Sequence, residues 1–471
     1  MARVEIPIPR RHGESKSKFV SAQKLVNAIV EDDIETGAFA VHRAPGLDLF
    51  CNTGVSGRVR GLHDFNGAIL AVVGETLFTI TGAGAATSRG TIEGVDPVIM
   101  SNNGFDAVIV ADSKSYAWDG ATLAQITDVD FQEASSVDFL DQYMIFTRKA
   151  TGQFFLSALA DAASYDALDV ATAESRPDPL LRVIVQNREA LLMGSKTVED
   201  WYNAGDADFP LVRSQTFLEV GLIGTHAACL IDNSVAFLAS DKTVRIIRAG
   251  SPQIISDPFI SQEIESWTDA SLTRAFAFSY RGHQYLVLRN PDGCLLWDAS
   301  LPAQVAWTSR KSQDSATWRV GCMETMPAGT EWNGRVICGD DENGMLYTLS
   351  SSAYDENGAE MTLEIVSRTL GPRGLPFTLD SLSLEIEPGV STVTGQGSDA
   401  KVWAQFSRDS GKTYGARLER ALGATGIAPK SLRWGSLGQF PERGGVVKFG
   451  VSDPVSVAIT GAFADIQADS P

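Results

Sequence analysis

Short apolar runs broken by polar, glycine-bearing turns recur along most of the chain. In GRVRGLHDFNGAILAVVGETLFTIT, from Gly57, two strands flank Asn66–Gly67. That dipeptide suits a two-residue hairpin, which needs φ > 0 at both turn positions. Ala68–Val73 and Thr76–Ile80 then pair around Gly74–Glu75. Five further stretches follow the same grammar, with first turns predicted at Asn103–Gly104, Leu140–Asp141, Asn187–Arg188, Asp232–Asn233 and Arg281–Gly282. A last unit, TWRVGCMETMPAGTEWNGRVICGDDENGMLYTLS, turns at Asn333–Gly334. Each unit ends in an aromatic or apolar strand after its second turn: LFTI, SYAW, FFLS, VEDWY, VRII, CLLW, MLYTL. The repeat length is roughly 35–50 residues, the range of propeller blades. One such meander cannot bury both of its faces alone, whereas blades stacked around an axis can. The pattern predicts an all-β chain with a six- or seven-bladed β-propeller over residues 55–350.

The pattern differs on either side. Residues 1–54 read as a lead-in arm with one or two short strands and a turn at Pro45–Gly46, Gly46 supplying the φ > 0 of a type II turn. Residues 351–471 carry longer alternating strands, among them MTLEIVSRTL, TLDSLSLEIEPG, AKVWAQFS and GVVKFGVSD. Leu382, Leu384 and Ile386 alternate with Ser and Glu, as in a strand with one buried face. The expected arrangement is therefore a propeller followed by a C-terminal sandwich-like β domain. Within the propeller, Thr197–Gly224 is the clearest strand–turn–strand. Trp201–Tyr202 closes one blade, and Gly221 and Gly224 make the crossing to the next.

Composition fits this picture. The chain has 471 residues, 44% of them hydrophobic, with 43 Gly and 8 Met. That is ample apolar matter for a core and suits a turn-rich β protein. No apolar run approaches the roughly 18 residues of a membrane helix, so no membrane-spanning segment is expected. The N-terminus, MARVEIPIPRRHGESKSKF, lacks the apolar stretch of a secretory signal, which points to synthesis and first use in a cytoplasm. Net charge is −19. A protein that grips the DNA backbone normally carries a basic face, so the acidity argues against DNA affinity. It leaves room for DNA passing nearby, because a negative wall repels phosphates. Arg3, Arg10, Arg11, Lys16, Lys18 and Lys24 make the first thirty residues basic: either a solvated arm or one that docks on an acidic partner surface.

No catalytic constellation stands out, and no catalytic, cofactor-binding or metal-binding residue is assigned. Cys51, Cys229, Cys294, Cys322 and Cys338 are scattered and odd in number, so they read as buried thiols rather than disulfides or zinc ligands. His12, His42, His63, His226 and His283 are isolated, without HExxH or HxH spacing. The glycines of Thr81–Gly90 precede no Gly-Lys-Ser/Thr and read as a loop between blades. Glu199, Asp200, Asp206 and Asp208 read as turn and rim carboxylates. SRDSGKTYG (Ser407–Gly415) is the sharpest local motif and matches the Asp box of sialidase-type propellers. Asp409 accepts backbone N–H groups, Gly411 supplies the special φ, and Thr413 and Tyr414 anchor the second strand. Its role is structural. A sialidase-like activity would also need an arginine cluster and a Tyr–Glu nucleophile pair.

VEDWYNAGDADFPLVRSQTFLEVGLIG with DNSVAFLASDKTVRII, and the later SRDSGKTYGARLERALGATGIAPKSLRWGSLGQF, together resemble a specific family. QKLVNAIVEDDIETGAFAVHRAPGLDLF and VRGLHDFNGAILAVVGETLFTI fit the same pattern in the same order. The chain resembles the packaged DNA stabilization proteins of short-tailed phages, also called nozzle or tail tubular B proteins. The basic start and Gln132–Asp178 carry no family-specific residues. The resemblance implies a non-enzymatic virion tail protein without cofactors, assembled in the bacterial host cytoplasm. It implies a homo-hexamer below the portal that meets the portal adaptor or head-to-tail connector on one side. A tail needle, plug or tail fibre lies on the other, and double-stranded DNA passes through transiently. The competing reading is a carbohydrate-binding or glycan-cleaving propeller acting on host surface glycans.

Overall fold

The computed structural model describes the chain apart from residues 1, 34, 174, 207, 249, 303–304, 372–373, 389–396, 423–429 and 469–471. Seven four-stranded antiparallel blades, each with strands A to D from the axis outward, follow one another around a ring. Blade 1 is Val59–Phe65, Ala68–Val73, Thr76–Ile80 and Ala86–Thr91. The inner A strands of blades 2 to 7 are Ile99–Asn102, Ala134–Leu140, Leu180–Gln186, Ala228–Ile231, Arg274–Tyr280 and Val320–Thr325. Strand periodicity builds the ring. In strand B of blade 1, Ile69, Ala71 and Val73 pack against blade 7, while the alternate Leu70 and Val72 pack against blade 2. Every blade is thus buried on both faces, which one sheet cannot achieve alone.

Asn66–Gly67, Asn187–Arg188, Asp232–Asn233 and Arg281–Gly282 all adopt positive φ at both positions, as the hairpin reading requires. The turn predicted at Leu140–Asp141 sits one residue later, at Asp141–Gln142, because Leu140 pairs with Tyr143. Thr81–Gly90 is not a loop between blades. Ala86–Thr91 is the outer strand of blade 1, paired with Thr76–Ile80 across a bulge between Ser88 and Gly90.

Blade 7 takes only three strands from its own stretch, ending with Met345–Ser350. Its outer strand is Gly46–Asn52, which lies within the stretch read as lead-in. Gly46 does not supply a positive φ, contrary to the type II turn expected at Pro45–Gly46. It is glycine because a Cβ there would overlap the backbone of Asp355 and Ala353.

The remaining N-terminal strands are more numerous than the one or two expected, and they join the C-terminal strands in a sandwich. One sheet runs Lys430–Phe440, Phe377–Pro388, Val457–Ala468, Phe39–Arg43, Ala28–Asp32, with Ala2–Glu5 also on Val457–Ala468. The other runs Ala22–Val26, Leu363–Val366, Val446–Val451, Lys401–Ser407, Leu418–Ala421. Leu382, Leu384 and Ile386 are fully buried between them, with Leu25, Val30, Val41, Val402, Trp434 and Phe449. Each such side chain contributes about 1.5–3 kcal/mol of apolar transfer. A bulge between Leu379 and Ser381 shifts the register, so Phe377 and Leu379 reach the same core. Val26 bridges in parallel to Ser309, the end of blade 6, and fuses that blade to the sandwich.

One α-helix is present among the described residues, Pro258–Ser266 between blades 5 and 6. Asp257 caps it, accepting from Phe259 N at 2.8 Å and Ile260 N at 2.9 Å. No described helix is long and apolar enough to cross a membrane.

Candidate binding site on the propeller axis

The A strands line a passage along the ring axis. At one mouth stand the segments that enter the A strands, together with several B–C turns. There a cavity of about 960 Å³ is lined by residues of all seven blades, among them Arg58, Asp96, Asp112, Lys149, His226 and Arg274. A second cavity of about 450 Å³ continues down the axis and shares Pro97, Ile99, His226 and Arg274 with the first.

The mouth holds a cationic cluster. Asp341, at the end of strand B of blade 7, accepts from Arg274 Nη2. Arg289 Nη1 lies 2.7 Å from Asp341 Oδ2, and Arg58 Nε lies 3.7 Å from Oδ1. Arg289 Nε also donates to Trp318 O at 3.1 Å, and Arg274 Nη1 to Gly321 O at 3.3 Å. One buried carboxylate therefore serves three guanidiniums drawn from blades 1 and 6. Burial depresses the pKa of Arg289, and repulsion from Arg274 adds to it.

Deeper in, burial dominates. His226 is driven down to about 3 by desolvation, with Arg182 and Arg274 adding positive potential. His63 falls to about 4 by desolvation and meets Asn102 Nδ2 at 2.8 Å. Glu324 is pushed up to about 8, first by desolvation and then by Asp64. Asp138 is raised by desolvation although it accepts from Val185 N at 2.7 Å, Phe139 N at 2.8 Å and Ser101 Oγ at 3.1 Å. These bonds tie blades 2, 3 and 4 together at the axis. The passage is thus a wall of neutral imidazoles, protonated or shielded carboxyls and guanidiniums. Among its described lining residues there is no tyrosine to pair with a glutamate as a sialidase nucleophile.

Of the residues singled out in the sequence, His63, His226, Cys229, Cys322 and Gly224 line these cavities and the others lie elsewhere. The Asp box forms as read: Asp409 accepts from Lys412 N at 3.0 Å, Thr413 N at 2.8 Å and Thr413 Oγ1 at 2.6 Å, and Gly411 has φ +88. The hairpin packs Tyr414 against Ala22, Val366 and Val446, which joins it to an N-terminal strand. Its carboxylate is held well below the usual range, chiefly by the Thr413 hydroxyl. His283 pairs with Asp298 at 2.7 Å and His42 with Glu31 at 2.8 Å. All five cysteines are free, and no metal-holding group of His, Cys, Asp and Glu occurs among the described residues.

Glu199 is not a rim carboxylate. It is 1% exposed, in strand C of blade 4, and accepts from Ser175 N at 2.6 Å and Trp201 Nε1 at 3.0 Å. Asp200 beside it is half-buried and raised to about 6 by desolvation and Glu189, while Asp206 and Asp208 are exposed in the loop that follows. The basic arm pairs mainly within its own chain. Arg10 meets Asp32 at 3.3 Å, Arg11 meets Asp257, and His12 meets Glu263 at 2.8 Å. Lys18 and Lys24 share Glu14. The mouth cluster escaped the sequence reading because its members are lone charges scattered from position 58 to position 341. Their only signal was an Arg or Asp at the start or end of an apolar run.

Residues 6–354 match the model of the phage-stabilisation family described as bacteriophage P22 Gp10, beta-propeller. No curated protein sequence matches the chain. Among solved structures, virginiamycin B lyase from Staphylococcus aureus is similar at 8% identity and TM-score 0.45, over 64% of this chain and 98% of that one. BBS1N, solved in complex with ARL6DN, is similar at 10% identity and TM-score 0.41, over 64% and 94% of the two chains. The extracellular domain of a putative hybrid two component system from B. thetaiotaomicron matches at 8% identity and TM-score 0.36, over 71% and 51%.

Proposed function

The chain belongs to the phage-stabilisation β-propeller family and is a structural component of a phage particle; from that premise we propose that it forms the hexameric nozzle of a tail. In this reading six copies form a ring below the portal and its adaptor, retain the packaged DNA, and provide the conduit for its ejection. The protein is then not an enzyme. It is assembled in the host cytoplasm and carried in the tail of the virion. Its partners are its own copies, the adaptor or head-to-tail connector, and a needle, plug or fibre that closes the tube.

The observation that carries this reading is the family match, which begins in the N-terminal strands and spans the propeller. Two physical features support it. Net charge of −19 suits a lumen that must let phosphates slide without sticking. The sandwich leaves the strands Ala28–Asp32, Lys430–Phe440 and Leu418–Ala421 at its sheet edges, and a ring of copies offers a neighbour to cover such edges. Heterologous interfaces that close by rotation give such a ring.

The test is to mix purified protein with its adaptor ring and measure mass and symmetry by native mass spectrometry and negative-stain imaging. A six-fold ring of this chain on the adaptor is expected. Failure to form or join one would sink the nozzle reading.

A further inference from the structure

The cluster at the propeller mouth is over-supplied with positive charge. Arg274 and Arg289 have side chains only 9% and 8% exposed, and Asp341 between them is 7% exposed. Two recessed guanidiniums and one carboxylate leave a buried excess of one cation, and Arg58, at 40% exposed, adds a second from the rim. Two exposed acids on the same cavity, Glu342 on the turn of Asp341 and Asp96 at the entry to blade 2, stand in no ion pair among the described residues. Other acids around the mouth are engaged: Asp112 by Arg60 at 3.7 Å, and Glu133 by Lys149 at 2.7 Å. Burying an unbalanced guanidinium costs stability, so the excess calls for a counter-charge. Among the described residues, the Arg58 side chain has no hydrogen-bond acceptor, and Arg289 Nη2 has none either, so both present spare donors to the cavity.

We propose that Arg58, Arg274 and Arg289 form a binding site for the carboxylate of a small ligand, of the size of an acidic monosaccharide. Three features select this class. The guanidinium fork matches a planar carboxylate, and the cluster already holds one in Asp341. A single negative charge matches the one buried cation that Asp341 leaves unbalanced, whereas a dianion exceeds it. The recess admits a slender group into about 960 Å³, the volume of a small-molecule pocket, and holds the two inner arginines away from the broad surface of a duplex. The pKa values of Arg289 and His226 are depressed first by burial and then by repulsion that in both cases includes Arg274.

The site lies within one propeller, so the outcome is independent of whether six copies assemble. Calorimetric titration of the purified protein with glucuronate tests it, with glucose, inorganic phosphate and a short DNA duplex as comparisons. Saturable one-to-one binding of glucuronate is expected, without binding of glucose. Arg58→Gln should weaken it about tenfold or more, the loss of one charge-assisted hydrogen bond, without moving Tm because Arg58 is on the rim. Three results would overturn the proposal: no saturable glucuronate heat, unchanged affinity in Arg58→Gln, or tighter binding of phosphate or duplex than of glucuronate.

Discussion

Thr348 faces Asp48 across two neighbouring strands although 300 positions separate them. This pairing closes the ring, because Gly46–Asn52 completes the blade that Val320–Ser350 leaves one strand short. The same N-terminal segment supplies strands to both sheets of the sandwich. Propeller and C-terminal strands are therefore stitched together by the first fifty residues, through pairings that span most of the chain.

Strand Gly46–Asn52 should be far more sensitive at its buried start than two residues further along the same face. Leu47 is fully buried with Tyr347 and Trp318, whereas Leu49, two residues on, is 47% exposed. Leu47→Ala should cost about 2–5 kcal/mol in urea unfolding. Leu49→Ala should stay within about 0.5 kcal/mol. A loss at Leu47 as small as that at Leu49 would mean that Leu47 does not pack against Tyr347 and Trp318.

Glu324 should make stability fall as pH rises. Its folded pKa of about 8 lies above the ordinary 4.5, through desolvation first and Asp64 second. A carboxyl raised on folding contributes fully below its unfolded value, and that contribution is lost as pH climbs from about 4.5 towards 8. Glu324→Gln removes the titration. Its Tm relative to the parent should therefore be higher at pH 8 than at pH 5, the gain growing by at most about 1.4 kcal/mol per pH unit between them. A pH-independent difference would show that Glu324 is ionised and solvated in the folded chain.

The Asp box hairpin should exchange its amides as one unit. Asp409 holds Lys412 N and Thr413 N directly. Asp409→Ala should accelerate hydrogen exchange at both amides while Val446–Val451 stays protected. A folded pKa below the ordinary 3.8 means that the carboxylate's contribution is present above that value and lost only on further acidification. The parent's hairpin should therefore remain protected at about pH 4. Exchange at Lys412 and Thr413 that ignores the substitution would remove the motif's structural role.

The family resemblance and the all-β propeller-plus-sandwich class were legible in the sequence for a physical reason. Type I′ turns demand φ > 0 twice, so Asn66–Gly67 and Arg281–Gly282 announce themselves. The second strand of each blade is buried on both faces and reads as an apolar run, as in Met144, Ile145 and Phe146. Outer strands are half-solvated and lose that signal: Ala86–Thr91, ATSRGT, contains no large apolar residue. Gly46–Asn52 reads as a strand, but nothing local says that its partner lies 300 residues away. Glu199 looked like a turn residue because it sits in the polar run TVEDWYN, yet its neighbours in space are Trp201 and Ser175. The mouth arginines are lone charges until the ring brings Arg58, Arg274 and Arg289 onto one carboxylate.

Gly221 separates two reasons for a glycine. It lies in the crossing from blade 4 to blade 5, and its φ is not in the left-handed region. A Cβ there would overlap the backbone of Ser195 and Lys196. By contrast Gly205, in the loop after Trp201–Tyr202, has φ +73 and nothing within 4 Å. Asn tolerates the left-handed region and needs room for a side chain, so one substitution tests both sites. Gly205→Asn should be nearly neutral. Gly221→Asn should cost roughly 1–3 kcal/mol or more, because blade 4 backbone must move to admit it. Thermal unfolding of the two variants decides the matter. If Gly221→Asn unfolds with the parent, the tight approach of the crossing to Ser195–Lys196 does not fix the seating of blade 5 on blade 4.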